Sequence, residues 1–177
     1  MALSTRFMEA AMRISLSLTC LPCLLAASLP VAAKAEPSLS GLINESRPGD
    51  ATISYSGGDT DRGMVIAKLR QREFAEAVPL LLKLADAGES WAMRELGWLY
   101  AEGNGVPVDS ARALGWFYEA AVIGDSRSML LVGVAFSRGW GVDPDQGLAA
   151  FWLAKARDSG DRHVAGAAAD ELRRLAA

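Results

Sequence analysis

The side chains that could perform catalysis or hold a metal are few in this sequence of 177 residues. His163 is its one histidine, and no serine at a strand-to-helix turn accompanies it, so a serine–histidine–aspartate site is not predicted. A zinc site needs several cysteine or histidine ligands at fixed spacing. Asp143 and Asp145 flank Pro144 in a predicted turn, where they suit helix capping, because a calcium loop needs a longer alternation of oxygen ligands.

Glycine-rich stretches occur at two places, 57–60 and 103–105. Neither follows a predicted strand or contains the lysine of a phosphate-binding loop, so both indicate turns. Glu73 and Glu76, like Asp170 and Glu171, have the spacing of solvated charges on a helix. We therefore predict a protein that is not an enzyme, with no catalytic residue, no metal site and no cofactor.

The net charge argues against nucleic acid as a partner. The whole chain has a formal net charge of −3, and the part after residue 35 has 15 basic and 20 acidic residues, a net charge of −5. A mildly acidic domain repels the phosphate backbone. We expect a protein or peptide partner, and the sequence does not identify it or the oligomeric state.

The first 35 residues have the order of a secretory signal. Arg6 and Arg13 precede an apolar stretch from Ile14 to Leu29, and the small residues of Ala33-Lys34-Ala35 follow. Either Met1 or Met12 could be the start. A membrane anchor is the competing interpretation, but the stretch is shorter than the ~20 residues of a spanning helix and is interrupted by polar residues. We expect a signal peptide at 1–35, no membrane span after its cleavage, and an exported protein, periplasmic or secreted.

Both cysteines, Cys20 and Cys23, lie inside this predicted signal. Cleavage would leave a mature chain without disulfides or reactive thiols. Residues 36–60 are rich in Ser, Gly, Pro, Asp and Asn, which predicts a flexible leader. Its scattered apolar residues leave open that it folds on a partner.

The remaining sequence repeats with a period of 36 residues. The shift superimposes Gly97 on Gly133, Gly103 on Gly139, Gly105-Val106 on Gly141-Val142, Asp109 on Asp145, Ala113 on Ala149, and Trp116 on Trp152. A period of this size is typical of an array of helical hairpins. The predicted domain covers 61–177, with hairpins at about 61–87, 88–123 and 124–159 and a capping helix at 160–177.

Each repeat contains two helical patterns joined by a glycine-rich turn. Gly103 is placed to end the first helix in the left-handed conformation, and Asp109 is placed to cap the second. Gly97 and Gly133 lie inside helices, where each costs about 1 kcal/mol relative to alanine. We predict that the partner helix approaches closely at these glycines. In the first hairpin the turn is shorter, and Pro79 predicts a late helix start or a local bend.

These markers identify a family by resemblance. The pattern Leu96-Gly97-x-x-Tyr100-x-x-Gly103-x-Gly105-Val106-x-x-Asp109-x-x-x-Ala113-x-x-Trp116-Phe117-x-x-Ala120-Ala121 resembles a Sel-1-like repeat, a relative of the tetratricopeptide repeat with a longer turn. A looser second copy follows, and the resemblance covers about Gly63 to Leu175. It implies an all-α fold, a short right-handed α-solenoid of helix-turn-helix hairpins with a C-terminal capping helix. It also implies a scaffolding or adaptor function without enzymatic activity, but one fold serves many roles.

The resemblance also implies where a partner binds. In such arrays the first helix of each hairpin lines the concave face, and its ligand-facing positions lie between the packing positions. In this sequence those positions are Trp91, Arg94, Trp98, Arg127, Leu130, Val134 and Arg138. Tryptophan and arginine are typical interface anchors, and arginine pairs with carboxylates. We therefore predict a groove for a peptide segment.

Two alternatives stay open on the sequence alone. Trp98 belongs to the core if its helix is rotated slightly, and Trp140 is either exposed or tucked under the next hairpin. A different class of function is the binding of cell-envelope polysaccharide or peptidoglycan fragments, with Trp91, Trp98 and Trp140 as stacking platforms.

Overall fold

Residues 60–177 are described by a computed structural model and fold into α-helices, with no strand in that range. The helices are α1 (Thr60–Arg70), α2 (Phe74–Asp86), α3 (Ser90–Glu102), α4 (Ser110–Val122), α5 (Ser126–Arg138), α6 (Gln146–Arg157) and α7 (Arg162–Leu175). The predicted signal at 1–35 and the leader at 36–60 lie outside the described residues, apart from Thr60 at the start of α1.

The helices pack in the order of the chain. The pairs α1–α2, α3–α4 and α5–α6 form hairpins, each hairpin packs against the next, and α7 contacts both helices of the last hairpin. This is the α-solenoid with a terminal helix that the sequence predicts. None of the helices in 60–177 is long and apolar enough to cross a membrane.

Aspartates begin four of the helices. The carboxylates of Asp109, Asp125 and Asp145 accept backbone N–H bonds of 2.9, 2.8 and 2.9 Å from the residue three positions later, and Asp161 caps α7 in the same way. Each such cap contributes about 1 kcal/mol because it satisfies an N–H that the helix leaves unpaired. The capping predicted for Asp109 and Asp145 is confirmed.

Left-handed residues end the first helix of each hairpin. Gly103 has φ 72° and ends α3, as predicted, and Gly139 with φ 71° ends α5. The shorter connection between α1 and α2 instead uses Arg72, with φ 61°. In α2 the late start predicted from Pro79 is not observed, because the helix begins at Phe74, and Pro79 lies exposed inside it.

Close helix contacts explain the two glycines inside α3 and α5. A Cβ atom on Gly97 would lie under 3.0 Å from three ring carbons of Phe117 on α4, and one on Gly133 would lie 2.7 Å from Cγ of Leu153 on α6. The predicted close approach is confirmed at both positions. A side chain as large as alanine would force the paired helices apart.

The second glycine of each long turn joins successive hairpins. A Cβ on Gly105 would lie 2.6 Å from the backbone at Phe74 and Ala75, where α2 begins. A Cβ on Gly141 would lie 2.5 Å from the carbonyl oxygen of Ser110, where α4 begins. Each turn therefore packs on the second helix of the preceding hairpin, and this contact fixes the stacking of the repeats.

Candidate protein-binding surface

Three of the seven predicted binding residues are buried. Trp98 is 5 % exposed, and Leu130 and Val134 are buried as well. The prediction that these three side chains offer a free surface to a partner is therefore corrected.

Packing accounts for their burial. The Trp98 ring meets the Phe117 ring edge-on, with centroids 5.5 Å apart, beside the space that Gly97 leaves open. Leu130 and Val134 belong to α5, which is buried almost continuously from Ser128 to Phe136. A central helix covered on nearly all sides has no free face for a guest.

Two of the predicted arginines are held by carboxylates of this chain. Arg94 on α3 forms an ion pair with Asp125, and their side chains are 12 % and 13 % exposed. Arg138 donates a 2.8 Å bond to Glu171 on α7, which also accepts a 2.6 Å bond from Arg174. Both arginines therefore connect neighbouring elements of the array, and a partner's carboxylate would have to compete with an existing one.

Trp91 lies at the first turn of α3 and is half-buried. The guanidinium of Arg62 lies over its ring, 4.8 Å from the centroid. Its Nε1–H and the Nε–H of Arg94 are buried without an acceptor among the described residues. Such donors typically cost about 1–3 kcal/mol each, so this corner of the array is less well satisfied than the core around it.

Arg127 occupies on α5 the position that Trp91 has on α3, one repeat of 36 residues later. It is half-buried and forms no ion pair with the residues that the structure describes. Arg94 and Arg138 are paired with carboxylates of this chain, so Arg127 is the predicted binding arginine whose charge can pair with a partner.

An exposed apolar pair on the same edge was missed by the sequence analysis. Val122 and Ile123, at the end of α4, are 60 % and 51 % exposed. The period of 36 contains the signal that could have found them: the equivalent positions hold Asp86-Ala87 in the preceding repeat and Asp158-Ser159 in the next. Apolar side chains stand here where the neighbouring repeats are polar or small.

Glu119 lies one helical turn before Ile123 on α4. Partial burial, with the charge of Asp86 as a smaller cause, raises the pKa of the Glu119 carboxyl above its ordinary value. Both effects penalise the ionised form. Ionised Glu119 therefore lowers the stability of the folded protein.

The sugar-binding alternative loses two of its three tryptophans. Trp98 is buried, and Trp140 is buried too, with its ring centroid 6.5 Å from that of Phe117 on α4. Trp140 thus packs against the preceding hairpin. A stacking platform requires an open ring face, so the predicted platform of three rings is not present in the structure.

Metal ligation finds no support in the described part of the chain. Within residues 60–177 no group of three or more His, Cys, Asp or Glu side chains could hold a metal ion. His163 lies exposed in the first turn of α7, where its backbone N–H donates a 3.0 Å bond to Asp161.

Stacked helical hairpins with paired glycine turns define the class of the protein, a helical repeat scaffold. Residues 92–122 and 126–161 match the family model described as Sel1 repeat. Those two segments, which span the hairpins α3–α4 and α5–α6, are therefore similar to Sel1 repeats. Sel1 repeats generally mediate protein–protein interaction and generally form non-catalytic scaffolds.

Two solved structures show the same similarity. The crystal structure of a Sel1 repeat protein from Oxalobacter formigenes matches 57 % of this chain with 35 % identity and a TM-score of 0.52. A protective antigen of uropathogenic Escherichia coli strains, described as displaying an SLR fold, matches 59 % of the chain with 32 % identity and a TM-score of 0.53. The alignments cover 28 % and 24 % of those two proteins, so this chain spans about a quarter of their length. A search of curated proteins gives no significant match.

Proposed function

We propose that this protein is a non-enzymatic adaptor that binds a segment of another protein along the edge where α3 and α5 begin. The observation that carries the proposal is the setting of Trp91, which is half-exposed, stacked under Arg62 and next to Arg94. Tryptophan and arginine contribute most of the binding energy at many protein interfaces. The family supports protein binding in general, and Trp91 supports this place for it.

The burial of Trp98, Leu130 and Val134 reduces the predicted groove to its outer part. The first turns of α3 and α5 lie at one edge of the array, and Trp91 and Arg127 lie there in equivalent positions. A guest that runs along this edge crosses two successive hairpins.

We also propose that the adaptor works after export, in the periplasm or outside the cell. The support is the order of charged, apolar and small residues in 1–35. The absence of cysteine after residue 35 fits an oxidising compartment, since no thiol is left to react there. Mass spectrometry of the mature N-terminus tests this part of the proposal, and an intact Met1 or Met12 on the exported protein would refute the predicted cleavage.

A pull-down from envelope extract tests the binding surface. The wild type is compared with Trp91→Ala combined with Arg94→Ala. A matched control combines Phe151→Ala with Arg157→Ala, which removes an exposed aromatic and an exposed arginine from α6. We expect the first double variant to lose a specific protein that the control retains. Equal recovery of every protein by all three baits would refute the proposed surface.

Loss of fold is a competing cause of a negative result, because Trp91 packs against the core and Arg94 pairs with Asp125. Circular dichroism and the melting temperature of each variant are therefore measured first. Arg127→Glu serves as the second test variant, since this side chain has no partner to lose among the described residues. It should weaken recovery of the same protein without changing the melting temperature.

A further inference from the structure

Four side chains from three helical elements lie at one edge of the array, where α3 and α5 begin and α4 ends. We name Trp91, Val122, Ile123 and Arg127 the rim patch. The ion pair of Arg94 with Asp125 ties them together, because Arg94 lies one turn after Trp91 on α3, and Asp125 lies between Ile123 and Arg127 in the chain. Residues from the start of α3, the end of α4 and the start of α5 are therefore neighbours.

The patch combines apolar exposure with an available positive charge. Val122 and Ile123 expose more than half of their surface side by side, and Trp91 adds a partly open ring. Single exposed apolar residues are ordinary on a protein surface, but an adjacent exposed pair at the same edge as a tryptophan is a candidate contact surface. Arg127 forms no ion pair within the described chain, whereas Arg62, Arg94 and Arg138 each have a carboxylate partner.

Charges of opposite sign flank the apolar pair in the sequence. Arg127 lies after the α4–α5 turn, and Glu119 lies on α4, one helical turn before Ile123. A carboxylate of the guest is attracted to the first and repelled by the second. The apolar pair lies between them in the sequence.

We propose that the rim patch docks an extended protein segment in which an apolar side chain lies close in sequence to Asp or Glu, with the apolar side chain on Val122 and Ile123 and the carboxylate on Arg127. This inference rests on the proposed protein-binding function and adds the chemistry of the partner. Four residues of chain reach at most about 14 Å, so the distance from Ile123 to Arg127 limits the guest's apolar side chain and carboxylate to no more than about four residues apart.

Selection from a display library of random octapeptides on the full chain tests this inference. We expect the selected peptides to share an acidic residue within four positions of a Leu, Ile, Val or aromatic residue. Synthetic versions of them are then titrated against wild-type and variant chains by fluorescence anisotropy. Replacing the acidic residue by its amide should weaken binding about tenfold, because a charge-assisted contact is lost.

Matched variants locate the site. Arg127→Glu should weaken binding at least about tenfold, and Arg162→Glu, at a more exposed arginine in the first turn of α7, should change it less than about twofold. Ile123→Ser should weaken binding, while Val108→Ser, at an apolar residue that is 65 % exposed in the α3–α4 turn, should not. Binding through Arg127 should also weaken as salt rises, since the contact is exposed.

Several outcomes would overturn the inference. They are selected peptides without a shared acidic residue, equal binding of the acid and amide peptides, equal binding by Arg127→Glu and wild type, or no selected peptide at all. A specific partner in the pull-down together with any of these results would leave the adaptor function standing and reject the rim patch. No specific partner in the pull-down would reject the adaptor function itself.

Discussion

Gly97→Ala is the substitution that most sharply tests how the hairpins pack. The added methyl group would lie under 3.0 Å from three ring carbons of Phe117, whereas ordinary contacts of this kind are 3.4–4 Å. Phe117 is fully buried, with Trp98 at 5.5 Å and Trp140 at 6.5 Å between ring centroids. The ring has no open direction in which to move, so the helices α3 and α4 must separate.

The expected magnitude follows from two opposing terms. Overpacking a dense core typically costs about 1–3 kcal/mol. Replacing a glycine inside a helix by alanine returns about 1 kcal/mol. Because Phe117 is enclosed, the first term should dominate, and we expect Gly97→Ala to lower the free energy of unfolding by about 1–2 kcal/mol.

Gly115→Ala is the matched control. Gly115 also lies inside a helix, α4, but a Cβ atom there meets nothing within 4 Å. It should therefore raise the free energy of unfolding by about 0.5–1 kcal/mol. The same chemical change thus has opposite signs at two helical glycines.

Urea denaturation followed by circular dichroism at 222 nm measures both changes. At a denaturant slope of about 2 kcal/mol/M, the Gly97→Ala midpoint should fall by roughly 0.5–1 M. Adding Phe117→Leu to Gly97→Ala should cost less than the sum of the single variants, because the smaller side chain relieves the contact. A Gly97→Ala variant as stable as Gly115→Ala would refute the close packing of α3 on α4.

Three further changes have defined outcomes. Gly141→Ala should lower the free energy of unfolding by at least about 2 kcal/mol, measured in urea, because its Cβ would lie 2.5 Å from the Ser110 carbonyl oxygen and its φ of 67° disfavours a side chain. Asp125→Ala should cost about 3 kcal/mol in the same assay, since it removes the α5 cap and leaves Arg94 largely buried without its partner. Glu119→Gln should stabilise the protein at pH 7, and the gain should shrink as the pH falls toward 3, when measured by thermal unfolding at each pH. The native carboxyl has a raised pKa, so the folded state binds the proton more readily than the unfolded state, and stability is lost as the pH rises through that window.

Each of these predictions has its own control. Gly160 also has a positive φ, of 86°, but a Cβ atom there meets nothing within 4 Å, so Gly160→Ala should cost only the backbone strain of about 1 kcal/mol. Asp161→Ala removes a cap without breaking an ion pair, and a cost equal to that of Asp125→Ala would contradict the role of Arg94. A Glu119→Gln variant that gains as much stability at pH 3 as at pH 7 would show that charge is not the cause.

Much of the fold could be predicted because its signals are local and repeat. The period of 36, the capping aspartates and the left-handed glycine at 103 each act within a few residues. Gly97 and Gly133 were predicted to mark close contacts because glycine inside a helix is costly without such a reason. The start of α2 was harder to predict, because the helix runs through Pro79 although this residue lies beyond the first turn and supplies no backbone N–H there.

The binding surface was less predictable because burial depends on contacts between distant residues. Trp98 and Trp140 both converge on Phe117, and nothing in their own neighbourhood indicates that they do. The same limitation applies to Arg94, whose carboxylate partner lies 31 residues away. Helical periodicity assigns the buried side of a helix only to within about one residue position. A small rotation of α3 therefore decides whether Trp98 is buried or exposed.

Photo-crosslinking in living cells tests the central claim most directly, namely that this repeat array binds another protein at the edge where α3 and α5 begin. A photo-reactive amino acid replaces Trp91 in one strain and Phe151, an exposed aromatic on α6, in another. A discrete crosslinked protein should form from position 91 and not from position 151. The same bands from both positions, or none from position 91 in a correctly folded protein, would contradict the claim.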